Sequence, residues 1–91
     1  MYKKAYLKTV RISKGQFSCE KAVQVTTYDG TETSGFFEDE YIKEYIKDKG
    51  LLVTIIEEKD ELALIKLPGR MLEAPGDKGY ITVKKQSLEY L

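Results

Sequence analysis

Residues 51–67 constrain the fold most, because they hold two apolar runs joined by a charged segment. The first run, 51–56, has aliphatic side chains at both odd and even positions, and successive side chains of a strand point to opposite faces. The second run, 62–67, repeats this pattern, whereas the charged residues 57–61 suit a solvated connection. The sequence therefore predicts a β-hairpin that is apolar on both faces and needs other parts of the chain around it.

Shorter alternating runs before the hairpin predict further strands. Residues 4–13 alternate loosely and contain basic side chains, which is typical of a protected edge strand. A long strand is expected over 17–28, and Asp29-Gly30 is the best candidate for a tight hairpin turn, because such turns need positive φ at positions that Asp and Gly tolerate. Residues 31–37 would return antiparallel to the long strand.

The period of the pattern changes over residues 38–48. Tyr41 and Ile42 recur at Tyr45 and Ile46, and a spacing of four residues places side chains on one stripe of a helix. We therefore predict a helix near 39–48 that lies over an open face of the sheet or plugs one end of a barrel.

The last part of the chain begins with a segment rich in Pro and Gly, 68–79, which predicts a loop. Residues 80–84 alternate and predict a strand. Residues 85–91 are expected to form one helical turn, with Leu88 and Leu91 closing the core.

These elements describe a mainly β protein, all-β apart from one short helix, with 1–91 forming a single domain. Five to six short strands predict a small, strongly bent antiparallel sheet that forms a β-barrel or a half-open barrel. The spacing, with a helical turn before the end of the chain, resembles that of Src-homology-3-like barrels. This is a likeness of architecture, and it implies no activity.

Charge gives little indication of a partner, since 15 Lys and Arg balance 15 Asp and Glu. Residues 1–28 carry six basic side chains and one acid, whereas 29–48 carry seven acids and two Lys. Neighbouring strands would let these two blocks neutralise each other. No apolar run approaches the length of about 20 residues that spans a membrane, so we expect no membrane contact and a cytoplasmic protein.

The residue types exclude several chemistries. The chain has no His and a single cysteine, Cys19, so catalytic triads based on His and the usual zinc ligand sets are absent. Cys19 shares its parity with Phe17 and Val23, which predicts a core position. The acidic clusters fit a helix start and a hairpin tip. We therefore predict no catalytic residue, no metal and no cofactor.

The function predicted from these features is a non-enzymatic protein-interaction or assembly module that binds an unidentified protein or forms a homodimer. The candidate partner-binding residues are Tyr41, Tyr45, Arg70 and Met71. The alternative is binding of RNA or single-stranded DNA, because Tyr can stack on bases while Lys neutralises phosphates. The residues for this alternative are Tyr2, Lys3, Lys4, Tyr6, Lys8 and Arg11.

Overall fold

The computed structural model of this protein describes residues 2–48, 50–69, 71–73 and 78–91, and it is mainly β. One α-helix, α1 (Asp39–Ile42), and two 3-10 turns (Lys43–Tyr45 and Lys85–Ser87) accompany the strands. The strands in chain order are β1 (Lys3–Leu7), β2 (Val10–Lys14), β3 (Glu20–Thr26), β4 (Glu32–Glu38), β5 (Ile46–Lys47), β6 (Gly50–Lys59), β7 (Leu62–Lys66), β8 (Met71–Glu73), β9 (Tyr80–Lys84) and β10 (Leu88–Tyr90).

The strands form two antiparallel sheets. The large sheet has the order β10-β1-β6-β7-β9, with β5 paired to the start of β6, and the small sheet has the order β2-β3-β4-β8. The chain passes from one sheet to the other at Lys8 and Thr9, between β1 and β2. Within the described residues the two sheets do not join into one closed barrel. Residues 4–13 were predicted as one edge strand, but β1 lies inside the large sheet and only β2 lies at an edge.

The hairpin predicted at 51–67 is confirmed as β6 and β7. Its connection is shorter than expected, because the ladder continues through Glu57, Glu58 and Lys59 and the turn contains only Asp60 and Glu61. Pairing with β7 satisfies the backbone groups of these charged residues, and their side chains remain exposed. A β-bulge between Ile55 and Glu57 shifts the register in the middle of β6.

One hydrophobic core lies between the sheets. Its buried side chains come from both sheets and from α1, and no described polar or charged side chain is buried. Full burial of one such aliphatic side chain is worth about 1.5–3 kcal/mol. The largest fully buried side chains are Phe37, Leu7, Ile42, Leu51, Ile65, Val23, Val25, Val53 and Val83.

The helix is real but shorter than predicted. α1 is followed by a 3-10 turn, and Ile46 and Lys47 then pair with β6 as β5. A helix of one or two turns is marginal, so pairing with β6 can replace its last turn. Gly50 is a buried residue at the start of β6. Ile42 enters the core and the helical segment contacts β3, β4 and β6, so it bridges the two sheets rather than covering an outer face.

The hairpin of β3 and β4 turns at Asp29-Gly30, which confirms the predicted location, but only Gly30 has a positive φ, at 85°, and the connection between the strands spans 27–31. Asp29 accepts hydrogen bonds from the Thr27 hydroxyl and the Thr31 N–H, which lower its pKa to about 2. The N–H of Tyr28 donates to the Thr82 carbonyl at 2.9 Å, so the turn is tied to β9 of the large sheet.

The predicted core position of Cys19 is wrong, because Cys19 is exposed. β3 begins at Glu20, and the preceding residues form a turn in which the Glu20 N–H donates to the Phe17 carbonyl at 3.0 Å. The alternation of a strand therefore does not extend to Cys19.

The end of the chain matches its prediction in part. The strand at 80–84 and the helical turn are confirmed, and Leu88 is buried, but the prediction for Leu91 is wrong because this side chain is exposed. The sequence missed β10, which pairs with β1. In the predicted loop at 68–79, residues 71–73 form β8 beside β4, and 70 and 74–77 lie outside the described residues.

Candidate interaction surface

The outer face of the large sheet, which points away from the core, contains four partly exposed aliphatic side chains. On β6 and β7, Leu51, Val53 and Ile65 point into the core, and the residues between them point outward. The outward aliphatic residues are only partly buried and do not belong to the core cluster. They are Leu52, Ile56, Leu62 and Leu64.

The β-bulge strengthens this apolar character. At a bulge, two residues of one strand oppose a single residue of its neighbour. Ile56 is the additional residue, so Ile56 and Glu57 together oppose Leu64. The bulge thus adds an isoleucine to the outer face next to a leucine of β7.

The outer face of the small sheet differs and serves as an internal comparison. Pairing places Arg11 opposite Gln24 and Gln24 opposite Ser34 there, and Gln24 donates a hydrogen bond of 2.8 Å to Glu32. Such polar side chains are usual on the solvated face of an antiparallel sheet. The outer face of β2, β3 and β4 also contains one apolar pair, Ala22 opposite Phe36, but no Leu or Ile. The leucine and isoleucine side chains are therefore specific to the outer face of the large sheet.

Two tyrosines extend the apolar part of the outer face. Tyr6 lies opposite Leu52, and Tyr80, which is 40% exposed, lies opposite Lys66. The Lys47 ammonium lies 6.0 Å from the centre of the Tyr6 ring, and the Lys66 ammonium lies 5.7 Å from that of Tyr80. Each ring is thus paired with a cation at a distance typical of cation–π contacts.

The charged side chains of the outer face are mostly basic. Strand register places Lys59 and Lys84 on either side of Leu62, and Lys4 and Lys66 on either side of Thr54. With Lys47, these residues form the set of five face lysines, Lys4, Lys47, Lys59, Lys66 and Lys84. Among the described strand residues the same register places two acids, Glu57 and Glu89, on this face. Three further acids lie in turns at its ends, Asp48 in a cleft with Lys47, and Asp60 and Glu61 in a cleft with Lys84.

A polar cluster closes one end of the opposite face of the large sheet. Glu58 accepts a hydrogen bond of 2.6 Å from the Tyr90 hydroxyl and lies 3.5 Å from the Lys3 ammonium. Burial and the hydrogen bond to Glu58 raise the pKa of Tyr90 to about 12, and the same hydrogen bond lowers the pKa of Glu58. Because each group is satisfied by the other, the cluster acts as a clasp between β6 and β10.

The structure brings the predicted partner-binding tyrosines together. The ring centroids of Tyr41 and Tyr45 are 5.0 Å apart, and both side chains are partly buried against the core. Arg70 and the side chain of Met71 lie outside the described residues, although the Met71 backbone pairs with Phe37. These candidates do not lie on the two central outer-face strands, β6 and β7.

The residues proposed for nucleic-acid binding are divided among several places. Lys4 and Tyr6 lie on the outer face, whereas Lys3 has the opposite parity and pairs with Glu58. Lys8 and Arg11 line a shallow cleft of about 260 Å³ at the bend between the sheets. Tyr2 is exposed at the start of the described chain. The six residues therefore do not form one surface.

The described residues contain no group of three or more His, Cys, Asp or Glu side chains that could hold a metal ion. The acids at the start of α1 form ion pairs, Asp39 with Lys21 at 3.5 Å and Glu40 with Lys43 at 2.7 Å. The helices in the described part of the chain are also too short to cross a bilayer. This leaves the outer face as the feature that most needs a functional explanation.

No protein-family model matches the chain, and no match was found among curated proteins or solved structures.

The sequence indicated that this apolar surface exists, but it did not indicate where in the fold the surface lies. The pattern of 51–67 showed that both faces of the hairpin are apolar, and Leu52, Ile56, Leu62 and Leu64 belong to it. Which face turns inward depends on the position of the second sheet, which a local pattern does not contain. The face lysines on β5, β6, β7 and β9 were missed as a group for the same reason.

Proposed function

We propose that this protein is a non-enzymatic interaction module that holds a protein partner on the outer face of its large sheet. The proposal rests on four aliphatic side chains that lie on the face of the large sheet opposite the core. They are Leu52, Ile56, Leu62 and Leu64. A sheet needs only one apolar face to form a core, and contiguous apolar surface on a folded domain marks interaction sites.

The arrangement of this face supports the proposal. Aliphatic side chains lie on the central strands β6 and β7, and Tyr6 and Tyr80 lie on the flanking strands β1 and β9. Protein interfaces commonly combine an apolar centre, in which tyrosine is enriched, with a polar rim. The lysine stems add apolar area, because their methylene groups can lie along the sheet while the ammonium groups stay in water.

A role without catalysis is consistent with the charged groups. The titratable side chains of the described residues lie at the surface, and the acidic groups beside α1 have ion-pair partners. General acid–base catalysis relies on groups whose pKa is tuned within a site. The shifted pKa values of Glu58 and Tyr90 have a structural cause, the clasp between β6 and β10.

The proposed nucleic-acid alternative receives less support. Binding of single strands relies on aromatic platforms within a basic groove. The outer face instead has an aliphatic centre, and the remaining basic candidates point elsewhere. A cytoplasmic location suits an interaction module of this kind, since the single cysteine is exposed and a reducing compartment would keep it as a thiol.

Site-specific photo-cross-linking tests the proposal. The photoreactive residue p-benzoylphenylalanine is placed at position 64 on the outer face or, as a matched control, at position 34 on the outer face of the small sheet, in cells that produce the protein. We expect position 64 to give one or a few defined protein adducts that position 34 does not give, and the change Leu62→Ser to reduce them. Equal adducts from both positions, or none from position 64, would contradict the proposal.

A further inference from the structure

We infer that the partner on the outer face is an acidic protein segment with apolar anchor residues, and not a second copy of this chain. The inference rests on the proposed function and adds the chemistry of the partner. Its basis is charge, since the described strand residues of the outer face include five lysines and two glutamates, whereas the whole chain has equal numbers of basic and acidic residues.

The positions of the lysines matter as much as their number. Lys59 and Lys84 are the direct cross-strand neighbours of Leu62, one on each side. Side chains directly opposite each other in an antiparallel pair are within contact distance. A partner that packs an apolar side chain against Leu62 therefore meets an ammonium group on either side. If acidic residues of the partner flank this apolar side chain, one can pair with Lys59 and another with Lys84.

The described residues leave these cations available. The ion pairs within the described part of the chain use Lys3, Lys21 and Lys43, and none of them is a face lysine. Lys47 and Lys66 lie near tyrosine rings, which carry no net charge, and Lys47 also shares a cleft with Asp48 and Glu89. An acidic partner supplies the missing counter-charges and gains rate and specificity from them.

A second copy fits this surface poorly. A two-fold symmetric dimer brings the same patch of each subunit together. Two outer faces packed against each other would place their lysines together with too few glutamates to pair them, and like charges opposed across an interface are costly. Nucleic acid also fits poorly, because Leu52, Ile56, Leu62 and Leu64 offer no stacking platform.

The test is an NMR titration in which defined polymers are added to the full chain labelled with ¹⁵N. Each titration is done at low and at moderate salt. The probes are a random Glu–Tyr copolymer, polyglutamate, a Lys–Tyr copolymer and oligothymidylate. We expect the Glu–Tyr copolymer to bind most tightly, to shift the amide signals of β6, β7 and β9, and to weaken as salt rises. The Lys–Tyr copolymer should leave these signals unchanged.

Charge reversal gives the sharper comparison. The double variant Lys59→Glu/Lys84→Glu should weaken binding of the Glu–Tyr copolymer by about tenfold or more, given several exposed charge pairs of about 0.2–1 kcal/mol each. The control Arg11→Glu/Lys14→Glu makes the same charge change on the small sheet and should change the affinity by less than about twofold. Circular dichroism and urea midpoints establish that all variants are folded.

The apolar variant Leu62→Ser/Leu64→Ser separates this inference from the proposed function. If it weakens binding and the lysine reversal does not, the acidic partner is overturned and the interaction surface stands. If neither variant weakens binding, both fail. Tighter binding of oligothymidylate than of the Glu–Tyr copolymer, or a dimer at micromolar concentration by sedimentation, would also overturn the inference.

Discussion

Two adjacent leucines, Leu51 and Leu52, allow the exposure of the outer face to be measured as a difference in stability. Leu51 is 0% exposed in the core, whereas Leu52 points outward beside Tyr6. Truncation of a fully buried leucine costs about 2–5 kcal/mol, because transfer energy is lost and a cavity remains. Leu52→Ala loses only contacts with neighbours on the same face, which are worth about 0.2–1 kcal/mol each. We therefore expect Leu51→Ala to cost at least about 1–2 kcal/mol more than Leu52→Ala.

Urea denaturation of the isolated chain measures this difference. With a slope of about 1 kcal/mol per molar urea for a small domain, the two midpoints should differ by more than about 1 M. Ile65→Ala and Leu64→Ala repeat the comparison on β7, where Ile65 is buried and Leu64 is partly exposed. Equal losses within each pair would show that the outer face is covered in the isolated chain, and the reasoning would be refuted.

Three further predictions concern other parts of the molecule. The phenol of Tyr90 should titrate near pH 12 by absorbance at 295 nm, and its pKa should return toward 10 in Glu58→Gln. Because the pKa of Tyr90 is raised in the folded state, the stability that this group contributes is present below about pH 10 and is lost as the pH rises toward 12. Denaturation midpoints that show no Tyr90-dependent loss over this pH range would contradict the clasp between β6 and β10. Cys19 should react with a thiol reagent in the native state as fast as in urea, whereas protection would restore the predicted core position. Gly30→Ala should cost about 1 kcal/mol by urea denaturation, since φ is 85° there, and an unchanged midpoint would count against this turn geometry.

The sequence was most informative where the pattern is local. The alternation in 51–67 and 80–84 and the location of the turn at Asp29-Gly30 each depend on neighbouring residues, and these predictions are confirmed. The four-residue spacing of Tyr41 and Tyr45 correctly indicated helical structure. The helix ends early because Ile46 gains a pairing with β6, and that gain depends on a strand beyond the helix.

Non-local pairing explains the errors. The parity that placed Cys19 in the core was continued through a turn, where alternation no longer holds. β10 has only three residues, and it forms a strand because it pairs with β1, more than 80 positions earlier in the chain. The candidate surface had the same limit, because its residues come from strands distant in sequence. The sequence pattern shows that the hairpin has two apolar faces, but only the arrangement of the two sheets shows which face lies outside the core.

The most direct test of the central claim is paramagnetic relaxation of methyl groups by a soluble gadolinium chelate, applied to the isolated chain. We expect strong relaxation for the methyl groups of Leu52, Ile56, Leu62 and Leu64, and weak relaxation for those of the core residues Leu7, Leu51 and Ile65. If the four outer residues are protected as well as the core residues at low protein concentration, their face is already covered by the chain itself. The interaction surface proposed for this protein would then not exist.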